Sequence, residues 1–387
     1  RARASLAREC YARSIAMKIV AAEVFPVRVP KRTPFALAYA TRTAARSVLV
    51  RLSSDDGHEG WGEAVPVREV TGERYPDVVE ALRRVAAERL PGTDPFDREA
   101  LRLMLRRDLS SLPSARNAVH SALVDLLGRA LGRPARVLLG AARDRLPARA
   151  SLGLGDLAAT LAAARAHLGA GIGTLKLKVA GDPAQEAARV RAVRRELGPA
   201  VRLSLDANQA FDRAQALAFV HALDGVNVEF LEQPVPADDL GGLAEVARLG
   251  AVPIMADEAV RGPETLLPLL ALRAVPLINV KLQKCGGPSE AEVMIRMAEA
   301  AGVGVMIGCM IETRIGISAG LAVALGLANV KHIDLDGAFD LEDDMVSSGG
   351  ARIEGGDQLM NDVPGLGLEL DAAKLARWRD PDPAMDE

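Results

Sequence analysis

Cysteine and histidine are scarce in this chain, and neither is grouped. The three cysteines, Cys10, Cys285 and Cys309, lie far apart and are odd in number. That spacing excludes a disulfide framework and a cysteine-ligated zinc site, and it points to a reducing compartment, the cytoplasm. The five histidines (His58, His120, His167, His221, His332) show no paired spacing. Zinc is therefore disfavoured, and any bound metal should be a hard cation held by oxygens. No apolar run reaches the length of a membrane span, so no membrane partner is expected. Net charge is only −3, which gives no global electrostatic case for nucleic acid. Residues 1–16 are arginine-rich but lack the apolar stretch of a secretory signal. An organellar address stays open for them. We read them as an extension without fixed order, with the folded sequence beginning near Met17.

What is present is an ordinary globular composition, 49% hydrophobic and 26% charged over 387 residues, enough for one large domain or two. Residues 17–27, 46–53 and 60–64 read as an antiparallel meander, with Asp55-Asp56-Gly57 as a turn. Two loops are expected beside it: about 30–45, containing Phe35 and Tyr39, and 65–74, ending Val70-Thr71-Gly72-Glu73. Either can be a lid over a site or a plain connector. From Tyr75 the apolar spacing turns helical, with segments near 76–90, 95–107 and 113–131. Residues 17–140 thus make an α+β unit, strands first and helices after.

From about 147 the pattern repeats. Apolar runs at 149–154, 174–179, 201–205, 227–231, 252–256, 276–281, 303–307 and 331–335 alternate with alanine-rich helical stretches. Eight such strands predict a closed parallel barrel. An open doubly wound sheet is the rival, weakened because no glycine-rich dinucleotide turn follows the first run. Residues 141–345 form this α/β unit. The segment 346–387 is irregular, and we expect it to return to the first domain, with 368–370 extending its sheet.

In such barrels the chemistry lies at the C-terminal strand ends. There the second run carries Lys176 and Lys178, two apart and so on one face. Alone, two lysines on a strand are as readily edge decoration against aggregation. The third, fourth and fifth runs end in Asp206, Glu232 and Asp257. Each acid by itself could cap the helix that follows. Three converging carboxylates repel one another unless a cation neutralises them, and Mg²⁺ suits an oxygen-only set. The sixth run ends in Lys281, opposite the second in an eight-stranded ring. Lys178 and Lys281 then face each other across a central metal. A substrate carboxylate on that metal would be stabilised as an enediolate on losing its α-proton. One lysine would take that proton and the other return it on the opposite face, a 1,1-proton transfer. Lys176 beside Lys178 would lower its pKa by like-charge repulsion.

Lys176-Leu177-Lys178, Asp206-Ala207-Asn208-Gln209, Glu232-Gln233-Pro234, Asp257-Glu258 and Lys281, in that order, resemble the enolase superfamily, specifically its muconate lactonizing enzyme subgroup. The resemblance covers about 17–370. It implies a modified TIM barrel, (β/α)7β, with an α+β capping domain formed by the N-terminal region and the C-terminal segment. It implies Asp206, Glu232 and Asp257 as Mg²⁺ ligands, Lys178 and Lys281 as acid/base pair, and Lys176, Asn208 and Glu258 in support. A homo-oligomer is expected.

The last strand narrows the reaction. Asp334-Leu335-Asp336 puts two carboxylates into the mouth. An unpaired acidic pair is costly unless it meets a cation, either a protein lysine or arginine or a substrate ammonium. Asp-x-Asp followed by Gly337 looks like the dipeptide epimerases of the superfamily, which invert the C-terminal residue of a dipeptide. That resemblance implies a dipeptide whose ammonium meets Asp334 and Asp336, with further contacts from Ser151, Met310, Glu312 and Thr71. The alternatives on the same scaffold are an N-acyl amino acid racemase, a muconate-type cycloisomerase, and a catalytically silent binding protein. Relatives acting on L-Ala-D/L-Glu hold the glutamate with an arginine in the first capping loop. Aligned through Pro34-Phe35 and Ser47-Val48, that position is Ala40, with Arg42 two residues on. A hydrophobic or cationic second residue fits as well. The run Glu342-Asp343-Asp344 either favours a basic side chain or is solvated surface.

Overall fold

The computed structural model describes residues 17–36 and 40–383. The chain opens with one antiparallel sheet in the order β1 (Ile19–Ala36), β2 (Thr41–Ser54), β3 (Glu59–Ala64). β1 contains Pro26, Pro30 and Pro34, which lack an N–H donor and are tolerated because β1 is an edge strand. The loop expected over 30–45 is therefore mostly a continuation of the β1–β2 hairpin. Pairing reaches Ala36↔Thr41 after a register slip between Pro30 and Phe35. Tyr39 lies outside the described residues, as do residues 1–16. The second expected loop holds the short helix Arg68–Thr71, ended by Gly72 at φ +77°.

Helices Tyr75–Glu88, Arg98–Asp108 and Pro113–Ala130 pack on this sheet around an apolar core including Val48, Leu82, Leu105 and Leu126. The third comes very close. A Cβ on Gly62 would stand 1.9 Å from the Ala118 carbonyl oxygen, so only glycine fits there.

After β4 (Arg145–Pro147) come eight parallel strands: β5 (Arg149–Leu152), β6 (Thr174–Lys178), β7 (Arg202–Asp206), β8 (Leu231–Glu232), β9 (Ile254–Ala256), β10 (Leu277–Lys281), β11 (Gly304–Gly308) and β12 (Val330–Asp334). They lie side by side in chain order, as seven strand–helix units and a closing strand require. The two ends of the row are joined by side chains. Arg149 Nε donates to the Ile333 carbonyl at 3.3 Å, and the Ser151 N–H to Asp336 Oδ2 at 2.6 Å. Arg149 is 1% exposed; it also bonds Ser204, pairs with Glu229 at 2.9 Å and lies over the Phe230 ring. Breaking a buried charge network of this kind costs about 3–5 kcal/mol. Glu229 keeps Arg202, so we expect Arg149→Leu to destabilise by about 3 kcal/mol, the lower end, read as a lower urea midpoint.

Beyond β12 the chain forms β13 (Val346–Gly349), β14 (Arg352–Glu354), β15 (Asp357–Leu359) and β16 (Leu368–Leu370). β16 pairs with β13 and does not extend the first sheet, contrary to expectation. β13 stands immediately beside it, while the edge of β1 is taken further on in the chain. Val27 bridges Arg379, the Arg28 N–H donates to the Trp378 carbonyl, and Arg46 pairs with Asp380 at 2.7 Å. Among the described residues no helix is long and apolar enough to cross a membrane.

Candidate active site

The ends of β6, β7 and β8 are level: Lys178 pairs in register with Asp206, and Asp206 with Glu232. Asp257 follows β9 and Lys281 ends β10. All five side chains are buried. Above them opens a cavity of about 550 Å³, lined by Lys178, Lys281, Lys176, Asn208, Asp334 and Asp336 among others. The hairpin end of β1 roofs it. The Arg32 N–H donates to the Asp340 carbonyl at 2.8 Å, Thr33 bonds the Asp340 carboxylate, and the Leu154 N–H donates to the Ala36 carbonyl at 3.3 Å.

The two opposed lysines hold different carboxylates. Lys178 Nζ donates to Asp206 Oδ2 at 2.5 Å and to Asn208 Oδ1 at 2.8 Å. Lys281 Nζ lies 2.8 Å from Asp257 Oδ2. Lys176 donates to Asp334, with Asp206 and Glu232 each 3.3 Å away. Asp334 is thus paired with a protein lysine, the alternative that sequence left open for the acidic pair. Burial disfavours the charge on Lys176, but Asp334, Glu232 and Asp206 outweigh it and hold its pKa well above normal. Burial likewise opposes the charge on Lys281, which Asp257 and Glu232 more than restore.

The carboxylates feel one another. Burial, then Asp206, pushes Glu232 up to about 8. Burial works to raise Asp206 too, but Lys178 and Lys176 bring it below its usual range. Glu258 goes up to about 7 through burial and Asp257, and its Oε1 accepts from Asn208 Nδ2 at 3.1 Å. Asn208, Gln209 and Gln233 adopt positive φ (42°, 67° and 35°), backbone strain concentrated at these strand ends.

Several residues that hold this geometry escaped the sequence argument. Lys284 donates to the Asp257 carbonyl and carboxylate from the short helix Leu282–Cys285. Asn279 Nδ2 donates to Glu232 Oε1 at 2.6 Å. Gln233 Oε1 accepts the Asp257 N–H at 2.9 Å. A fourth lysine, three residues past Lys281, was the available signal.

Among the expected substrate contacts, Ser151, Met310, Asp334 and Asp336 line the cavity. Thr71 and Glu312 do not. The Thr71 hydroxyl donates back to the Val67 carbonyl at 3.0 Å within its own turn. Glu312 is buried behind the wall, accepting from the Met310 N–H and Gln283. Arg42 pairs with Glu69 at 2.8 Å and lines a separate cavity of about 100 Å³ beyond Ile311. Of the acidic run, Asp343 pairs with Lys374 and Asp344 with Arg314, both away from the main cavity.

A donor set for a hard cation is present. Lys176, Lys178, Lys281 and Lys284 face Asp206, Glu232, Asp257, Glu258, Asp334 and Asp336, which is two positive charges short when all are ionised. Asp206, Glu232 and Asp257 offer oxygen only, as Mg²⁺ prefers. Among the described residues no three such side chains converge on one point as ligands. Their oxygens are turned to the lysine ammonium groups instead.

Opposed lysines on the second and sixth strands, with carboxylates on the three strands between, define an enolase-type site on a barrel. The chain belongs to the mandelate racemase and muconate lactonizing enzyme family. Its N-terminal domain model matches residues 19–140, and the model described as enolase C-terminal domain-like matches 158–374. It is 38% identical to the L-Ala-D/L-Glu epimerase of Bacillus subtilis, over 91% of this chain and 97% of that protein. It is 36% identical to the L-Lys-D/L-Arg epimerase of Methylococcus capsulatus, over 91% and 99%. A solved dipeptide epimerase of Enterococcus faecalis, complexed with Mg and L-Leu-L-Tyr, superposes with TM-score 0.88 at 32% identity, covering 91% of this chain and 99% of that one.

Proposed function

We propose that this chain is a Mg²⁺-dependent dipeptide epimerase that inverts the α-carbon of the C-terminal residue, working in the cytoplasm. One observation carries the reading: Lys178 and Lys281 line the same cavity as the acidic pair Asp334 and Asp336. Family membership and the epimerase relatives support it. Cys285 and Cys309, both free thiols, suit a reducing setting.

Asp206, Glu232 and Asp257 would hold the ion. When bound it supplies positive charge that neutralises these carboxylates, which otherwise hold the lysines protonated, and that stabilises charge building on the substrate carboxylate. The chain's own groups do the rest. Asp336 receives the substrate ammonium at one end, beside Asp334 and its partner Lys176. The α-carbon lies between the two lysines. One neutral Nζ takes the α-proton, and the C–H electron pair passes into the substrate carboxylate system. The opposite Nζ, as ammonium, gives a proton to the other face. Charge and proton count are unchanged, so no redox partner is needed. The β1 hairpin and the 337–342 loop close over the centre and limit water there.

Arg42 is held by Glu69, while Met310 and Ile311 line the cavity wall on that side. The test is α-proton exchange in deuterium oxide over a panel of L,L-dipeptides with Mg²⁺. We expect exchange at the second residue, faster for apolar second residues than for glutamate. Exchange confined to N-acylated amino acids would transfer the assignment to a racemase. Thermal stabilisation by dipeptides without exchange would make the chain a binding protein.

A further inference from the structure

Behind the cavity wall, one capping-domain carboxylate is buried inside the barrel's framework. Glu63, on β3, is fully buried. It accepts the Thr313 N–H at 3.0 Å, the Thr313 hydroxyl at 2.7 Å and the Gly316 N–H at 2.8 Å. It therefore caps the helix Arg314–Gly326, which follows β11 and whose positive N-terminal end favours an anion. Burial still raises its pKa, against the Thr313 and Gly316 donors.

The same strand end is tied to the exit of β10. Gln283 stands two residues beyond Lys281. Its Nε2 donates to the Glu63 carbonyl at 3.2 Å and to Glu312 Oε2 at 3.1 Å, and its Oε1 accepts the Val65 N–H at 2.9 Å. Glu312 Oε1 in turn accepts the N–H of Met310, which lines the cavity. Glu63, Gln283, Glu312 and Thr313 are each no more than 3% exposed. The end of β3, the chain just past Lys281 and the turn after β11 are thus one bonded unit. Lys178 is supported otherwise. Its ammonium holds Asp206 and Asn208, and its carbonyl accepts from Arg189 at 2.7 Å, all three on the barrel.

We infer that Glu63, acting through Thr313 and Gln283, is a positioning residue for Lys281 and not for Lys178, so that the capping domain sets the geometry of one base only. This rests on the reading of Lys178 and Lys281 as the acid/base pair. A displacement of about 1 Å in a catalytic group can cost 10²-fold. Glu63→Gln keeps the shape but puts an NH₂ against backbone and hydroxyl donors.

The experiment measures solvent deuterium exchange from each epimer of a reactive dipeptide, with the exchange that survives in Lys178→Ala marking the epimer served by Lys281. In Glu63→Gln that exchange should fall about tenfold or more, while exchange from the other epimer changes less than about twofold. Gln283→Met leaves the helix cap intact and should show the same asymmetry, which keeps the test available if Glu63→Gln does not fold. Glu63→Asp should recover part of the lost exchange. Equal slowing of both epimers, or no slowing, in a folded variant overturns the inference. If the unmodified enzyme exchanges neither epimer, the reading of the site is what fails.

Discussion

Lys178→Ala and Lys281→Ala should each abolish epimerisation, by about 10³-fold or more, while each variant retains α-proton exchange from one epimer only. The two ammonium groups sit on non-adjacent strands and are anchored to different carboxylates, Asp206 and Asp257. Neither reaches the other's position, so neither can substitute on the opposite face. Epimerisation needs both, because a proton must leave one face and arrive on the other. Exchange needs only the base that faces the C–H bond. The measurement is loss of α-proton signal from each pure epimer in deuterium oxide. Equal loss from both epimers in each variant would show that the lysines do not act as independent one-faced bases. Both alanine variants leave their carboxylate a second lysine, Lys176 beside Asp206 and Lys284 beside Asp257, so the folded site should survive.

That second lysine marks where sequence stopped being readable. The eight barrel strands were legible because each is a short apolar run between helical stretches. The lysine and carboxylate positions were legible because strand ends recur at known places in that alternation. Lys284 was not, because it reaches back to Asp257 from a single helical turn after β10, and no periodicity points a side chain from such a turn. The Lys176–Asp334 pair joins β6 and β12, which flank β5 only when the two ends of the row meet, so ring closure and not spacing along the chain brings them together. Thr71 and Glu312 do not line the main cavity for a related reason: residues outside strands have no period-two rule to fix their direction. The hairpin over 30–45 was hidden by its prolines, which read as a loop unless the strand is known to be an edge. The partner of Leu368–Leu370 depends on a long-range pairing that composition does not encode.

Asp336→Asn should raise KM for dipeptides by about 30- to several-thousand-fold while leaving N-acetylated dipeptides almost unaffected. Asp334 is committed to Lys176, so the acidic group left for a substrate ammonium is Asp336. Burial, and then Asp334, raises its pKa, so its charge is disfavoured without a cation beside it. Its Oδ2 is oriented by the Ser151 N–H at 2.6 Å, its Oδ1 has only the Cys309 thiol 4.0 Å away, and the residue lines the cavity. Truncating one partner of a desolvated charge pair costs about 2–5 kcal/mol, the range quoted above as a ratio. An acetylated substrate has no ammonium to lose, so its KM is the internal control. Asp334→Asn should behave differently, because it also unpairs Lys176 beside Asp206 and Glu232; kcat should then fall along with the rise in KM. If Asp336→Asn slows both substrate classes alike, the acidic pair serves the barrel seam at Ser151 and not the substrate, and an N-acyl amino acid becomes the better substrate class for this cavity.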